Sequence, residues 1–314
     1  MTESIQTVDL LRELEPTVEV NLNRHLSTAK EWFPHEYVPW SQGTDFDGVL
    51  GGRAWESGQS TLPDAARTSL IVNLLTEDNL PSYHYEIATT FGRDGAWGTW
   101  VHRWTAEEGR HGIAIRDYLL ATRAVDPVAL ERARMTHMAN GFTNENDGVL
   151  ASLAYVSFQE LATRVAHRNT GRVSGDPICD QLLAKVAADE NLHMLFYRNL
   201  LTAALELAPT ATMEAIRDVV TTFQMPGYGI ENFGRKSVQI AMAGIYDLRI
   251  HHDEVLTPIL RQLRVNERDT LSDDGERARD ELSTFLASLD KAATRFTERR
   301  QASRERANAR AASA

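Results

Sequence analysis

Two short Glu-x-x-His patterns are the residues in this chain best suited to chemistry. They are Glu108-Gly-Arg-His111 and Glu190-Asn-Leu-His193, and each falls in a segment with helical periodicity. Residues three apart lie on nearly the same face of an α-helix, so each pattern directs a carboxylate and an imidazole toward one point. Each pattern therefore predicts half of a site for two metal ions.

Two further glutamates complete an arrangement that the pairs alone do not establish. Glu77 and Glu160 lie in separate helical segments, and the order along the chain is Glu, Glu-x-x-His, Glu, Glu-x-x-His. Ferritin-like bundles that hold two iron or manganese ions take one Glu from each of two helices and one Glu-x-x-His from each of two others. The sequence therefore predicts an all-α, ferritin-like four-helix bundle core with additional helices, typical of a di-iron carboxylate protein.

The charge and hardness of these ligands indicate which metal they suit. Four ionised glutamates carry a charge of about −4, which two Fe(II) ions neutralise inside a low-dielectric bundle. Carboxylates and imidazoles favour iron or manganese, and zinc stays possible although no His-Glu-x-x-His motif is present. The alternative is that these residues form ordinary surface ion pairs. Glu160, however, follows the apolar run Tyr155-Val-Ser-Phe-Gln, where an unpaired charge is unfavourable.

Long helical segments are needed to position these side chains. A segment over residues 62–91 carries Glu77, and Pro81 is expected to kink or restart it. Asp126-Pro127 and Asp176-Pro177 are good helix starts. The other predicted helices span residues 97–123, 127–140, 148–168, 176–207, 210–222, 235–264 and 269–306, with a glycine-containing loop over 41–61.

We expect a single helical domain over all 314 residues, because a large helical bundle accommodates this length as one unit. The bundle core is predicted at about 62–207 and the additional helices at 210–290. Residues 291–314 are rich in alanine and arginine and are predicted to form a basic tail.

The composition argues against several classes of function. A net charge of −11 disfavours nonspecific nucleic-acid binding, which needs a cationic surface. The single cysteine, Cys179, can form no internal disulfide and cannot supply an iron-sulfur cluster. The start at Met1 lacks the features of a secretory signal, and no apolar run is long enough to insert into a membrane, so we expect a cytoplasmic protein. Glycine-rich nucleotide motifs are also missing, so electrons must come from a separate protein.

The sequence around these residues resembles that of the soluble acyl-acyl-carrier-protein desaturases, which are also called type 2 fatty acid desaturases. The resemblance is closest to their actinobacterial branch. The likeness runs from about residue 10 to residue 290. The matching stretches are Thr76-Glu77-Asp-Asn-Leu-Pro-Ser-Tyr83, Trp104-Thr-Ala-Glu-Glu-Gly-Arg-His-Gly112, Phe158-Gln-Glu-Leu-Ala-Thr163, His167-Arg-Asn-Thr170 and Ala188-Asp-Glu-Asn-Leu-His193.

The resemblance implies that two iron ions per chain are bound, with the carboxylates of Glu108 and Glu190 bridging them. The six implied iron ligands are Glu77, Glu108, His111, Glu160, Glu190 and His193.

Three further residues receive roles from the same resemblance. Thr163 is implied to be a hydroxyl near the oxygen-binding side that relays protons, although a threonine in a helix also commonly bonds to a backbone carbonyl. Asp189 is implied to orient His111, as metal-bound imidazoles commonly require. Trp32 is implied to lie near Asp189 on a path for electron entry, and its alternative is a packing role in the core.

One position departs from the family. Gly109 stands where the family usually has Asn, and a glycine within a helix costs about 1 kcal/mol relative to alanine. No ligand is lost. The departure puts the rigidity of the Glu108–His111 segment in doubt.

The implied activity is O2-dependent desaturation of a fatty acyl chain carried on acyl carrier protein, yielding a cis double bond, with electrons from a ferredoxin-type donor. A homodimer is also implied. Two alternatives stay open, namely a di-iron hydroxylase of a carrier-bound chain and a metal-binding homologue without turnover.

The acyl chain is expected to lie in an apolar tunnel past the irons, and an acidic carrier protein needs a local basic patch on this acidic chain. Chain length and double-bond position cannot be read from the residues. Candidates for the tunnel wall are Ala88, Phe91, Val156 and Ser157, and candidates for the basic patch are Arg164, Arg168, Arg172, Arg235 and Lys236.

Overall fold

The described part of the chain is almost entirely helical. A computed structural model describes residues 7–143, 146 and 148–312, and within them it contains no β-strand beyond one bridge between Phe46 and Arg53. The all-α prediction is confirmed. The prediction about the residues before position 7, and the last two residues of the predicted tail, lie outside this range.

Twelve α-helices follow one another in these residues, and none is both long and apolar enough to cross a membrane. The helices are α1 (Thr7–Thr28), α2 (Asp64–Asp78), α3 (Leu80–Phe91), α4 (Gly95–Ala121), α5 (Pro127–Asn140), α6 (Gly148–Ser174), α7 (Pro177–Leu207), α8 (Pro209–Thr222), α9 (Phe233–Ala243), α10 (Leu248–Ile250), α11 (Thr257–Leu263) and α12 (Asp273–Ala312).

Proline and aspartate set several of these helix starts as the sequence predicts. Pro81 occupies the first turn of α3, so the predicted segment 62–91 divides into α2 and α3. The side chain of Asp126 accepts hydrogen bonds from two backbone N–H groups of α5, and Asp176 accepts one from Ile178 at the start of α7. These caps fix where the ligand-bearing helices begin.

The helices α2, α4, α6 and α7 form the bundle that carries the six predicted ligands. Large apolar side chains on α6 and α7 are fully buried between them, including Leu153, Phe158, Leu200 and Leu201. Burying one such side chain stabilises the fold by roughly 1.5–3 kcal/mol. The ligands therefore project from helices whose relative positions are held by a packed core.

The helix α1 was not predicted from the sequence, and the predicted bundle core at 62–207 omits it. It packs on α4 and α7 through Leu10, Leu14, Val18 and Leu22, which recur every four residues. Pro16 lies within this helix. Position 16 is in the helix interior, where proline is normally unfavourable, and this weakened the helical signal.

The predicted continuous helix over 235–264 is wrong. Gly244 adopts a left-handed conformation with φ of +80° and ends α9. Asp247 then caps α10, and a π-helical turn from His251 to Leu256 leads into α11.

The predicted loop over 41–61 is an ordered loop that is held by one arginine. Arg123, which follows α4, is only 7% exposed. Its guanidinium donates to the backbone carbonyls of Thr44, Asp45, Arg53 and Ala54 at 2.9–3.2 Å. Because these bonds tie residues 44–45 to residues 53–54, the conformation of the loop depends on this side chain.

An Arg123→Ala substitution is expected to lower the free energy of unfolding by about 3 kcal/mol, since it removes the hydrogen bonds that the buried guanidinium makes to the loop. Chemical denaturation checks the stability, and limited proteolysis checks for new cleavage within 41–61. An Arg116→Ala change in α4 is the control, because the Arg116 side chain is 39% exposed and pairs with the adjacent Asp117. Equal stability of the two variants would contradict this role of Arg123.

Candidate metal centre

The four bundle helices bring the six predicted ligands together in two overlapping groups. One group contains Glu77 and His111, the other contains Glu160 and His193, and both contain Glu108 and Glu190. In each group the potential ligand atoms lie within 4.8 Å of one another. The arrangement therefore offers two adjacent metal positions that share two carboxylates.

The two shared carboxylates each present one oxygen to each half of the centre. His111 Nδ1 lies 3.3 Å from Glu108 Oε2 and 3.5 Å from Glu190 Oε1. His193 Nδ1 lies 2.8 Å from Glu108 Oε1 and 3.9 Å from Glu190 Oε2. Glu77 Oε2 is 3.8 Å from His111 Nδ1, and Glu160 Oε2 is 3.7 Å from His193 Nδ1. Each half of the centre thus has one imidazole, one carboxylate of its own and two carboxylates that it shares with the other half.

Burial strongly affects the carboxyl groups of the centre. It raises the pKa values of Glu77 and Glu160 well above their usual range, and nearby carboxylate charges add to the effect. Burial also disfavours ionisation of Glu190, but hydrogen bonds from His111 and His193 outweigh it and lower the pKa of Glu190 well below its usual range. Without metal, protons must therefore supply the positive charge that balances this site.

Two divalent cations fit this set of donors. The buried atoms His111 Nδ1, His193 Nδ1 and Glu160 Oε2 point into the centre and make no hydrogen bond of normal geometry. Glu77 lies in the last turn of α2, where the helix dipole disfavours a carboxylate unless a cation is nearby. Four hard oxygen ligands and two imidazoles suit iron or manganese. These features are those of a metal site and not of a packed core.

A carboxylate holds the outer nitrogen of each histidine. Asp189 Oδ2 lies 3.3 Å from His111 Nε2, and it also accepts hydrogen bonds from Trp32 Nε1 at 2.7 Å and from Arg110 at 2.8 Å. The predicted neighbours Trp32 and Asp189 are therefore in contact. The Arg110 guanidinium lies 4.5 Å from the centroid of the Trp32 ring.

The equivalent carboxylate on the other half is Glu107, which the sequence analysis missed. Glu107 Oε2 lies 2.9 Å from His193 Nε2 and 2.9 Å from His25 Nε2. Burial opposes ionisation of Glu107, but hydrogen bonds from the two histidines outweigh it and lower its pKa. A sequence signal existed, because Glu107 directly precedes Glu108 just as Asp189 directly precedes Glu190.

The outer glutamates have partners that were also missed. His167 Nε2 lies 3.1 Å from Glu77 Oε1, and His167 Nδ1 contacts the Asn73 amide at 3.2 Å. Trp104 Nε1 donates to Glu160 Oε1 at 3.1 Å. Both His167 and Trp104 stand in the stretches that carry the family resemblance, but those stretches gave no role for them.

Thr163 lies beside the centre and also bonds to its own helix. Its hydroxyl oxygen is 3.2 Å from Glu190 Oε2 and 3.0 Å from the backbone carbonyl oxygen of Glu160. The geometry thus allows both the relay role and the backbone role that the sequence left open.

Gly109 has room for a side chain. A Cβ atom at this position would meet only Leu80 Cδ2, at an ordinary 3.6 Å. At Gly112, three residues along α4, a Cβ would lie 3.1 Å from Asp78 Oδ1 and 3.6 Å from Glu77 Cβ. Gly109 and Gly112 are therefore constrained very differently.

A Gly109→Ala substitution is expected to stabilise the metal-free protein by about 1 kcal/mol, because alanine is the better helix former. Thermal unfolding measures this change. Gly112→Ala is the matched control, and it is expected to be destabilising because its Cβ crowds Asp78. A fall in the melting temperature for Gly109→Ala would show that Gly109 is required where it stands.

A cavity of about 760 Å³, including its open mouth, borders the centre. Glu77, Glu108, Glu160 and Glu190 line one side of it. Of the predicted wall residues, the structure places Phe91 and Val156 on the cavity, whereas Ala88 and Ser157 are buried away from its lining. Other residues of the wall include Leu80, Tyr83, Ile87, Trp104, Phe142, Tyr155 and Pro226.

The predicted basic residues differ in their availability to a partner. Arg235 is exposed and Arg164 is half-buried. Arg168 is held by an aspartate on α7 at 2.8 Å, and Lys236 and Arg172 each contact a neighbouring oxygen. Arg235 and Arg172 are the exposed residues among these candidates.

Comparison with known proteins gives the class of this chain. A family model for fatty acid desaturases matches residues 6–312. The chain belongs to the type 2 fatty acid desaturase family.

Individual relatives agree with this assignment. The chain is 50% identical over 315 residues to the protein of Mycobacterium tuberculosis named acyl-[acyl-carrier-protein] desaturase DesA1, covering 97% of this chain and 93% of that one. It is 29% identical to the chloroplastic stearoyl-[acyl-carrier-protein] 9-desaturase of Spinacia oleracea, over 96% of this chain and 78% of that one. The higher identity to the mycobacterial relative than to the plant one fits the predicted actinobacterial branch.

A solved structure supports the fold. The crystal structure of the acyl-ACP desaturase DesA2 from Mycobacterium tuberculosis superposes with a TM-score of 0.66 at 35% sequence identity, covering 81% of this chain and 98% of that one. The helical, ferritin-like fold predicted from the ligand pattern is confirmed.

Proposed function

We propose that this chain is an acyl-[acyl-carrier-protein] desaturase that uses two iron ions and O2 to place a cis double bond in a carrier-bound fatty acyl chain. One observation carries the proposal: two buried groups of carboxylates and imidazoles that could each hold a metal ion, with Glu108 and Glu190 common to both, border a cavity with a largely apolar wall. The names of the relatives DesA1 and the spinach stearoyl desaturase support the carrier-bound substrate.

The metal ligands of the proposal are the six residues predicted from the sequence. Glu77 and His111 would hold one ion, Glu160 and His193 would hold the other, and the remaining glutamates would bridge them. Two bound iron ions with O2 supply the oxidising power to remove hydrogen from unactivated methylenes. Two hydrogens leave the acyl chain, a donor adds two electrons and solvent adds two protons, so that O2 ends as two waters.

The cavity wall orients the acyl chain and excludes water. Leu80, Ile87, Phe91 and Val156 offer only apolar surface to the chain. A methylene chain in this cavity passes beside Glu160, whose carboxylate belongs to the centre. Holding two adjacent methylenes next to the reacting site lowers the barrier without chemistry from the wall itself.

Thr163 is proposed to hold a proton close to the centre. Its Oγ1 is 3.2 Å from Glu190 Oε2, and the residue lines the cavity. A hydroxyl group can donate and accept at once, so it can pass a proton between the cavity and a bridging carboxylate.

Asp189 and Trp32 are proposed to serve the other face of the centre. Asp189 keeps the His111 ring in the tautomer that carries hydrogen on Nε2, which leaves Nδ1 free for a metal. The contact from Trp32 Nε1 to Asp189 at 2.7 Å gives a short bonded path toward His111 for electrons. A ferredoxin-type protein is the proposed donor.

Acyl carrier protein is the proposed partner, and Arg172 and Arg235 are the exposed candidates for its docking. Both proteins are acidic, so a local basic contact must offset the overall repulsion. The homodimer, the single-domain organisation and the cytoplasmic location stay predictions.

Product mass tests the proposal. Iron-loaded protein is supplied with O2, a reduced ferredoxin system and acyl carrier proteins that bear chains of several lengths. The acyl product is expected to lose two hydrogens. Gain of one oxygen would identify a hydroxylase instead, and an unchanged chain with iron bound would favour a homologue without turnover.

A further inference from the structure

On the outer side of the centre, each histidine contacts a carboxylate that is itself held by two further side chains. We call each set of carboxylate and two side chains an arm. Asp189 holds His111 and is itself held by Trp32 and Arg110. Glu107 holds His193 and is itself held by His25 and by Arg103, whose Nη2 lies 2.6 Å from Glu107 Oε1. The arms differ in the group that completes them, which is an indole on one side and an imidazole on the other.

Glu107 Oε2 is shared by two imidazoles, and this sharing fixes their tautomers. A carboxylate oxygen accepts hydrogen bonds, so His25 and His193 both donate from Nε2 to Glu107 Oε2 at 2.9 Å. In the neutral form that binds a metal ion, His193 then has its lone pair on Nδ1, the atom that faces Glu108 and Glu160. The direction of the His193 ring is therefore linked to the position of one oxygen atom of Glu107.

His25 restrains the position of the Glu107 carboxylate more firmly than Arg103 does. His25 is 3% exposed, and its ring stacks on His193 with centroids 5.8 Å apart and meets Trp100 edge-on at 5.0 Å. The Arg103 side chain is 42% exposed and contacts the opposite oxygen of Glu107. Without His25, Glu107 Oε2 would keep only His193 as a donor, and the carboxylate could rotate toward Arg103 and solvent.

We propose that His25 is a positioning residue for the metal ion bound by His193, and that it acts through Glu107. The proposal rests on the proposed function only in requiring two metal ions at this centre. It makes α1 part of the metal site, although α1 supplies no ligand. It also predicts that the two metal positions respond separately to changes in the two arms.

Only one nitrogen of His25 is used in this way. His25 Nδ1 is buried and makes no hydrogen bond within the described residues. His25, Arg24 and Asn199 border a cleft between α1 and α7. A side chain that keeps a donor at the place of Nε2 should therefore replace His25, and one without a donor should not.

The test compares His25→Phe with His25→Gln. Phenylalanine keeps a ring against Trp100 but removes the donor, whereas the amide nitrogen of glutamine reaches about as far as Nε2. Anaerobic Fe(II) titration by calorimetry is expected to show one of the two binding constants weakened about 10- to 100-fold in His25→Phe, with the other unchanged and with near-normal values in His25→Gln. Trp32→Phe alters the other arm and is expected to weaken the other constant.

Thermal unfolding of the metal-free variants separates a folding defect from a loss of positioning. Unchanged iron affinity in His25→Phe, or equal weakening of both constants, would overturn the proposal. Equal losses in His25→Gln and His25→Phe would also overturn it, because the donor would then not be what matters. If the unaltered protein bound fewer than two ions, the proposed metal centre would fail as well, which distinguishes that failure from a failure of the His25 role alone.

Discussion

A Glu190→Gln substitution is expected to abolish turnover, with a loss of at least about a thousandfold, and to reduce bound iron from two ions per chain to one or fewer. Glu190 is 1% exposed and belongs to both halves of the centre. Glutamine keeps the shape, but it removes the one negative charge that the two halves share and replaces one of the two carboxylate oxygens with an NH2 group, which is a poor metal ligand. A loss of this size corresponds to about 4 kcal/mol of transition-state stabilisation.

The control for this prediction lies on the same helix. Glu206→Gln makes the same chemical change on α7, but the Glu206 side chain is 67% exposed and only pairs with Arg268 at the surface. Exposed ion pairs contribute about 0–1 kcal/mol, so this variant should keep its iron and its turnover. Turnover and full iron content in Glu190→Gln, or equal losses in both variants, would contradict the bridging role.

The second large effect concerns the cavity. Val156 lies one helical turn before Glu160, is 7% exposed and faces the cavity. A Val156→Trp substitution is expected to lower kcat/KM for long acyl chains by about a hundredfold, roughly 2.7 kcal/mol, because the indole occupies the space that the chain needs. Iron content should not change, since Val156 is not a ligand.

A smaller side chain at the same position is the matched control. Val156→Ala keeps the cavity open and is expected to alter kcat/KM only a few-fold. Steady-state kinetics with a series of chain lengths makes the comparison, and the tryptophan variant should recover activity as the chain shortens. Full activity of Val156→Trp on the longest chain would show that the substrate does not use this cavity.

The ligand set could be predicted because helical spacing is local. Three residues along a helix bring Glu108 to His111 and Glu190 to His193 whatever the rest of the fold does. Helix starts were predictable for the same reason, because Pro127 and Pro177 restrict their own backbone. The structure brings all six predicted ligands together.

The missed features depend on contacts between distant segments. His25 meets Glu107 across 82 residues of chain, and His167 meets Glu77 across 90. No periodicity within one helix specifies such pairs. The cavity wall is similar: Val156 and Ser157 are neighbours in sequence, yet only Val156 faces the cavity, because the packing of α6 decides which side is exposed to it.

The helix α1 lies between the features that the sequence predicts and those that it does not. Its buried residues Leu10, Leu14, Val18 and Leu22 have the spacing of an amphipathic helix, so the signal was present. Pro16 within the helix and the lack of any ligand motif obscured this signal. The break at Gly244 was likewise visible as a glycine, but only the left-handed backbone explains why the helix ends there.

The proposed function requires that Glu108 and Glu190 bridge two metal ions. Anomalous X-ray scattering from crystals of iron-loaded protein tests this requirement most directly. We predict two anomalous peaks at the iron edge, one within bonding distance of His111 Nδ1 and the other within bonding distance of His193 Nδ1, with both bridging carboxylates between them. A single peak, or peaks away from the six predicted ligands, would contradict the proposed two-metal centre.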